Sequence, residues 1–130
     1  MLTWYVFQNE SQELQSLDVK FDIEHILAKG RQEIDSTLKN RKNLECLGNK
    51  ELLERKINIP ASEYRFNDKK KFYYGFTTDK GAKKVGTNIK DLIELADTHE
   101  KFEEVDIIER NNKILNEFYK FLKRNNLFIE

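Results

Sequence analysis

Two neighbouring stretches decide the reading: residues 21–29, FDIEHILAK, and residues 44–73, LECLGNKELLERKINIPASEYRFNDKKKFY. Around the first, Val19, Phe21 and Ile23 are apolar while Lys20, Asp22 and Glu24 are polar. That is the period of a half-buried strand, expected over residues 19–27. Strict alternation sends Glu24 and His25 to opposite faces, so the strand must end or bulge there if both serve one site. Residues 44–53 read as the second strand of a hairpin, and Gly48 inside it signals a bulge or a close backbone approach. A short helical turn over residues 55–58 is interrupted by Pro60. Ser62 can then cap a helix over about residues 63–74, with Glu63 in its first turn and Phe66, Lys69 and Tyr73 at helical spacing.

Outward from this core, residues 2–7 are dense in β-branched and aromatic side chains and read as an added N-terminal strand. Residues 9–17 are polar, a loop or a short helix. Between the two core strands lies a polar connector, residues 28–43, with a possible helix near residues 32–39; connectors this long are often functional. Residues 75–88 read as a loop or irregular hairpin. Thr87 can cap a helix over residues 89–96, whose Ile89, Leu92, Ile93 and Ala96 form one apolar stripe. A longer supporting helix is expected over residues 103–124, with Val105, Ile108, Leu115, Phe118, Tyr119 and Leu122 on its apolar side. The fold class is α+β in one domain.

Length fits that division, because 130 residues suffice for a single modest core. A charged fraction of 35% belongs to a well-solvated surface rather than to disorder, since aromatics at 12% recur along the chain. No apolar run approaches the ~20 residues that cross a bilayer, and the first residues lack the pattern of a signal peptide. Cys46 is the single cysteine, which excludes an internal disulfide and fits a reducing cytoplasm. Net charge is zero but unevenly spread. Residues 1–38 hold 3 basic against 7 acidic side chains, residues 39–84 hold 13 against 6, and residues 85–130 hold 7 against 10. The basic block coincides with the core stretch, as a face for a polyanion requires. Lysines that merely solvate a helix give the same count.

The side chains of the core stretch suit phosphodiester hydrolysis. That reaction needs a deprotonated water, counter-charge on the phosphate and help for the leaving oxygen. Histidine is the natural base near neutral pH, here His25. Glu24 with the amide oxygen of Asn58 suits a hard cation, Mg²⁺ or else Mn²⁺, that keeps several waters. Lys69 can add positive charge from the helix. Each residue also has a plainer role open to it: a surface histidine, a turn asparagine at Asn49 beside Gly48, a cap at Asn58, solvated lysines at Lys69, Lys70 and Lys71.

The ordered set DIEHILAK, LGNKELL, Asn58, Ser62, Phe66, Lys69 and Tyr73 resembles the His-Asn-Asn variant of the HNH, or ββα-metal, nuclease motif. It is similar to the nuclease domain that ends GmrSD-type, modification-dependent restriction enzymes. IIERNNKIL extends the likeness, with Arg110 at the family's helix arginine, so that it covers roughly residues 21–122. The resemblance implies a hairpin-plus-helix core with one divalent metal. It implies His25 as general base, Glu24 and Asn58 as metal ligands, and Asn49 as the residue that holds the histidine loop. It places Lys69 near the scissile phosphate; Lys56, Lys70 and Lys71 of the basic block are the candidate nucleic-acid contacts. Lys50, Ala28 and Glu63 depart from the family's leucine, proline and asparagine, and none of these removes a reacting group.

The expected partner is DNA in a restriction or phage-defence setting, with an N-terminal nucleotide-using domain or subunit outside this chain, and no membrane. The chain is then an excised C-terminal fragment or a stand-alone nuclease. The competing reading is a catalytically silent nucleic-acid-binding or assembly module. A weaker idea makes Glu103, Glu104 and Asp106 a docking surface for the missing partner.

Overall fold

The computed structural model describes residues 1–16, 18–57, 59–60 and 63–127. Its order is α1 (Leu2–Phe7), β1 (Phe21–His25), α2 (Lys29–Asp35), two short 3₁₀ turns (Arg41–Glu45 and Leu47–Asn49), β2 (Lys50–Glu54), α3 (Phe66–Tyr74), β3 (Gly75–Thr77), β4 (Lys83–Val85), α4 (Lys90–Thr98) and α5 (Glu104–Arg124). The described residues thus form a mixed α+β fold with two small antiparallel sheets and five α-helices. None of those helices is long and apolar enough to cross a membrane.

β1 pairs with β2 from Phe21 opposite Glu54 to His25 opposite Lys50. The second strand starts at Lys50, six residues later than expected, because residues 41–49 coil into 3₁₀ turns. Side chains take several of the carbonyls in this stretch and at the start of β2. Arg110 Nη1 donates to the carbonyls of Leu47, Gly48 and Lys50 at 3.0, 3.2 and 2.8 Å, and Asn49 Nδ2 donates to that of Leu44 at 2.9 Å. Gly48 does mark a close approach. A Cβ there would lie 2.0 Å from the Ile107 carbonyl oxygen and 2.7 Å from the Asn111 nitrogen, so only glycine lets α5 lie on this turn.

The N-terminal segment is a helix, not the expected strand. Strand propensity is a statement about fitting a pleated, half-buried surface, and packing overrides it here. Leu2, Tyr5 and Val6 recur at helical spacing and are all buried, while Trp4 packs on Phe118 and Phe121 of α5 with ring centroids 5.3 and 5.1 Å away. A six-residue helix has little stability alone, so this contact sets its conformation.

α3 begins at Phe66, three residues later than expected, and Ser62, the proposed cap, lies outside the described residues. α4 also starts one residue late, at Lys90. Thr87 does not cap it in the usual way; its hydroxyl accepts from Ile89 N at 3.0 Å. The amide of Gln12 takes that task, accepting from Lys90 N at 2.7 Å and donating to the Asn88 carbonyl at 2.9 Å. The irregular hairpin of residues 75–88 is β3 and β4, and the possible helix in the connector is α2, three residues earlier than read.

α5 has its expected start, closed by a capping box in which the Glu103 and Asp106 side chains bond each other's backbone N–H. Its buried face is the predicted one only in part, at Phe118, which packs on Trp4, and at half-buried Leu122. Ile107, Arg110 and Ile114 point inward, whereas Val105, Ile108, Leu115 and Tyr119 are exposed. A helix with apolar residues on two sides is oriented by its most demanding group. Here that group is the Arg110 guanidinium, whose Nη2 meets Glu51 at 2.9 Å and Asp91 at 2.7 Å. The acidic start of α5 is spent internally as well: Glu104 accepts from Lys39 N, Asn40 N and Asn43 Nδ2. Charge reversal at Glu103, Glu104 and Asp106 would therefore unseat the helix instead of probing a docking surface.

Candidate active site

β1 stops at His25, and the chain beyond it is fixed by one side chain. Asn49 Oδ1 accepts from Leu27 N at 2.7 Å, and its Nδ2 donates to the carbonyls of Leu27 at 3.1 Å and Leu44 at 2.9 Å. The Asn49 carbonyl also accepts from Ile26 N at 2.9 Å. A fully buried amide with three bonds to two segments is a rigid clip. From the opposite side Lys69 reaches in from α3, and its Nζ donates to the His25 carbonyl at 2.6 Å. The histidine backbone is thereby held from both directions.

Side chains on either side of this strand end take different partners. Glu24 turns to α3, with Oε1 3.3 Å from Lys69 Nζ and Oε2 accepting from the Tyr73 hydroxyl at 3.0 Å. His25 turns the other way, Nε2 lying 3.2 and 3.1 Å from the Glu45 carboxylate oxygens. Its side chain is 19% exposed and that of Glu24 14%. No bond to His25 Nδ1 is present among the described residues.

The three consecutive lysines of α3 separate by direction. Lys69 is only 2% exposed; burial lowers its pKa and the Glu24 carboxylate opposes that. Its charge therefore reaches a phosphate only across Glu24 and the end of β1. Lys70 lies over the Phe66 ring at 5.3 Å, and Lys71 over Phe72 and Phe76 at 5.1 and 5.3 Å. Lys56 is exposed just after β2. Tyr73 is pushed well above its ordinary value, first by burial and then by Glu24, so it stays a hydroxyl donor. Asn58 lies outside the described residues.

Glu45 is the residue that sequence reasoning missed. It is anchored by Lys29 at 3.1 Å and Lys50 at 3.4 Å as well as by His25. These bonds, His25 first, hold its carboxyl down at about 2. Nothing local in LECLGN marks it, because the contact with His25 spans 20 positions and exists only once the hairpin closes. Arg110 was placed by resemblance alone; the structure gives it the work of holding the Leu47–Lys50 backbone.

Both carboxylate oxygens of Glu24 are already engaged, by Lys69 and by the Tyr73 hydroxyl, and no group of three or more His, Cys, Asp or Glu suited to a metal occurs among the described residues. A closed thiolate or imidazole cage of the zinc kind is therefore not built from them.

An antiparallel strand pair, a histidine at its end and a following helix that carries a buried lysine define a small α+β domain. The chain belongs to the family described as GmrSD restriction endonucleases, C-terminal domain, whose model matches residues 2–117. A comparison with curated proteins and one with solved structures find no match.

Proposed function

We propose that this domain is a metal-dependent endonuclease of the HNH, ββα-metal type that hydrolyses phosphodiester bonds in DNA as part of a restriction or phage-defence system. The observation that carries this reading is the end of β1. A histidine stands there with its carbonyl held by Lys69, the two residues after it clipped by Asn49 and its Nε2 on a carboxylate, directly after an acidic residue. Held so, the imidazole presents Nδ1, unprotonated when Nε2 carries the proton, to a water on the solvent side. Glu24 and Asn58 would hold one divalent ion, Mg²⁺ or Mn²⁺, which supplies counter-charge to the phosphate and the leaving oxygen when bound. Lys69 keeps Glu24 in place and adds charge behind it. Lys56, Lys70 and Lys71 face the polyanion. The family description implies further domains, and a nucleotide-using N-terminal domain or subunit is the proposed partner.

His25→Ala tests the assignment. The variant is expected to keep the parent's circular dichroism spectrum and unfolding midpoint while losing at least ~100-fold of Mg²⁺-supported cleavage of plasmid DNA. Cleavage at the parent rate would remove His25 from the mechanism. Salt-sensitive binding without cleavage in the parent, with any divalent ion, would instead favour the silent binding module.

A further inference from the structure

Lys56, Ile57 and Pro60 after β2, Phe72 of α3 and the β3–β4 hairpin line a groove of about 440 Å³. Phe72 and Phe76 form its apolar floor with Val85; the two rings meet edge to face at 5.3 Å. Among the described residues every charged side chain lining it is a lysine: Lys56, Lys83 and Lys84. The hairpin that makes one wall is fixed. Gly75 turns with φ +87, and a Cβ on Gly86 would lie 2.5 Å from the Tyr73 carbonyl oxygen, so the hairpin backbone sits directly on the end of α3. Thr87 N reinforces this by donating to the Tyr73 carbonyl at 2.8 Å.

An apolar aromatic floor inside a ring of lysines is complementary to one kind of ligand. A duplex presents phosphates but keeps its bases stacked inside, and has nothing to lay on two phenyl rings. An unpaired strand offers both a flat base and flanking phosphates. Lys71, whose ammonium covers both rings in this structure, is displaced toward a phosphate at little cost, because an exposed cation–π contact is weak. The volume lies within the range of small-ligand sites, roughly 300–1,000 Å³. We propose that this groove binds an unpaired segment of DNA strand, one base stacking on the Phe76 ring against the edge of Phe72 and its neighbouring phosphates on Lys56, Lys83 and Lys84. The inference deepens the nuclease reading by naming part of what the enzyme holds, and relies on that reading for its use but not for the binding itself.

Fluorescence anisotropy of a labelled oligothymidine, measured in EDTA so that no cleavage intervenes, tests it against a duplex of equal length. The single strand is expected to bind more tightly than the duplex. Phe76→Ala should weaken single-strand binding by roughly tenfold and leave duplex binding unchanged, while Phe76→Trp restores the single-strand affinity. The double variant Lys83→Glu, Lys84→Glu should weaken binding and flatten its salt dependence, whereas Lys80→Glu, on the same hairpin but outside the groove, should do neither. An oligouridine bound as tightly as the oligothymidine supports recognition by base and phosphate. If Phe76→Ala fails to fold, Phe76→Leu decides, since it keeps apolar bulk and removes the stacking face. Single-strand affinity that is insensitive to loss of the aromatic face, or a preference for duplex, overturns the proposal. These outcomes are separate from the His25→Ala cleavage test: loss of the nuclease assignment leaves the binding result standing, and the reverse holds too.

Discussion

Replacing Asn49 with alanine removes three hydrogen bonds in one step, those to Leu27 N, the Leu27 carbonyl and the Leu44 carbonyl. Each bond is worth about 0.5–1.5 kcal/mol net, so the loss is about 3 kcal/mol. Water offsets part of any further penalty, because Leu27 and Leu44 are only half-buried. For a domain of this size each kcal/mol moves the midpoint by about 4 °C, which places the expected drop near 12 °C. Asn49→Asp should be at least as damaging near neutral pH. It keeps the acceptor for Leu27 N but sets a carboxylate against two carbonyls, and this raises its folded-state pKa. The resulting stability is complete below the unfolded value of about 3.9 and is lost as pH rises above it, so Asn49→Asp should recover toward the parent at low pH. Thermal unfolding followed by circular dichroism at several pH values reads both variants. Cleavage assayed well below the lowered midpoint should still be reduced, because the His25 segment has lost its clip. An Asn49→Ala midpoint within about 2 °C of the parent would show that the clip contributes little, and the reasoning that places it at the centre of the site would be wrong.

Gly48→Ala is expected to destabilise by at least about 3 kcal/mol, since its Cβ meets the Ile107 backbone at 2.0 Å and α5 must shift, loosening the Arg110 bonds; urea denaturation within about 1 kcal/mol of the parent would contradict this. Glu51 is raised well above the usual carboxylate range, by burial first and by Asp91 next, so the proton shared near Arg110 stays on Glu51 while Asp91 is held low. The stability that this gives is present below the unfolded value near 4.5 and lost as pH rises through the raised folded value, so Glu51→Gln should gain on the parent as pH rises above 4.5; a parent that gains instead would mean an ionised Glu51–Arg110 pair. Glu45→Ala should leave the unfolding midpoint unchanged yet cut cleavage roughly tenfold, with partial rescue by Glu45→Gln, which can still hold the ring. Unchanged turnover in Glu45→Ala would remove Glu45 from the positioning of His25.

The alternation at residues 19–25 and the helical spacings further on were enough to read the strand pair, the following helix and the start of α5, because these signals are local; the caps and the start of the second strand were not read correctly from them. The same reasoning turned α1 into a strand: β-branched and aromatic residues say that a segment will be buried, not which geometry buries it. It also misplaced part of the buried face of α5, since apolar residues lie on two sides and only the bonds of Arg110 to Glu51 and Asp91, 59 and 19 positions away, orient the helix. Family membership was legible in an ordered set of residues, as the match over residues 2–117 shows. Which nitrogen of His25 is engaged, that Lys69 is buried against Glu24, and that Glu45 stands behind the ring were not. The sequence by itself determined the inventory of groups and the elements that carry them. Directions were decided only in the tertiary structure, because a buried charge or amide must find its partner wherever the chain brings one, and that partner is seldom a neighbour in sequence.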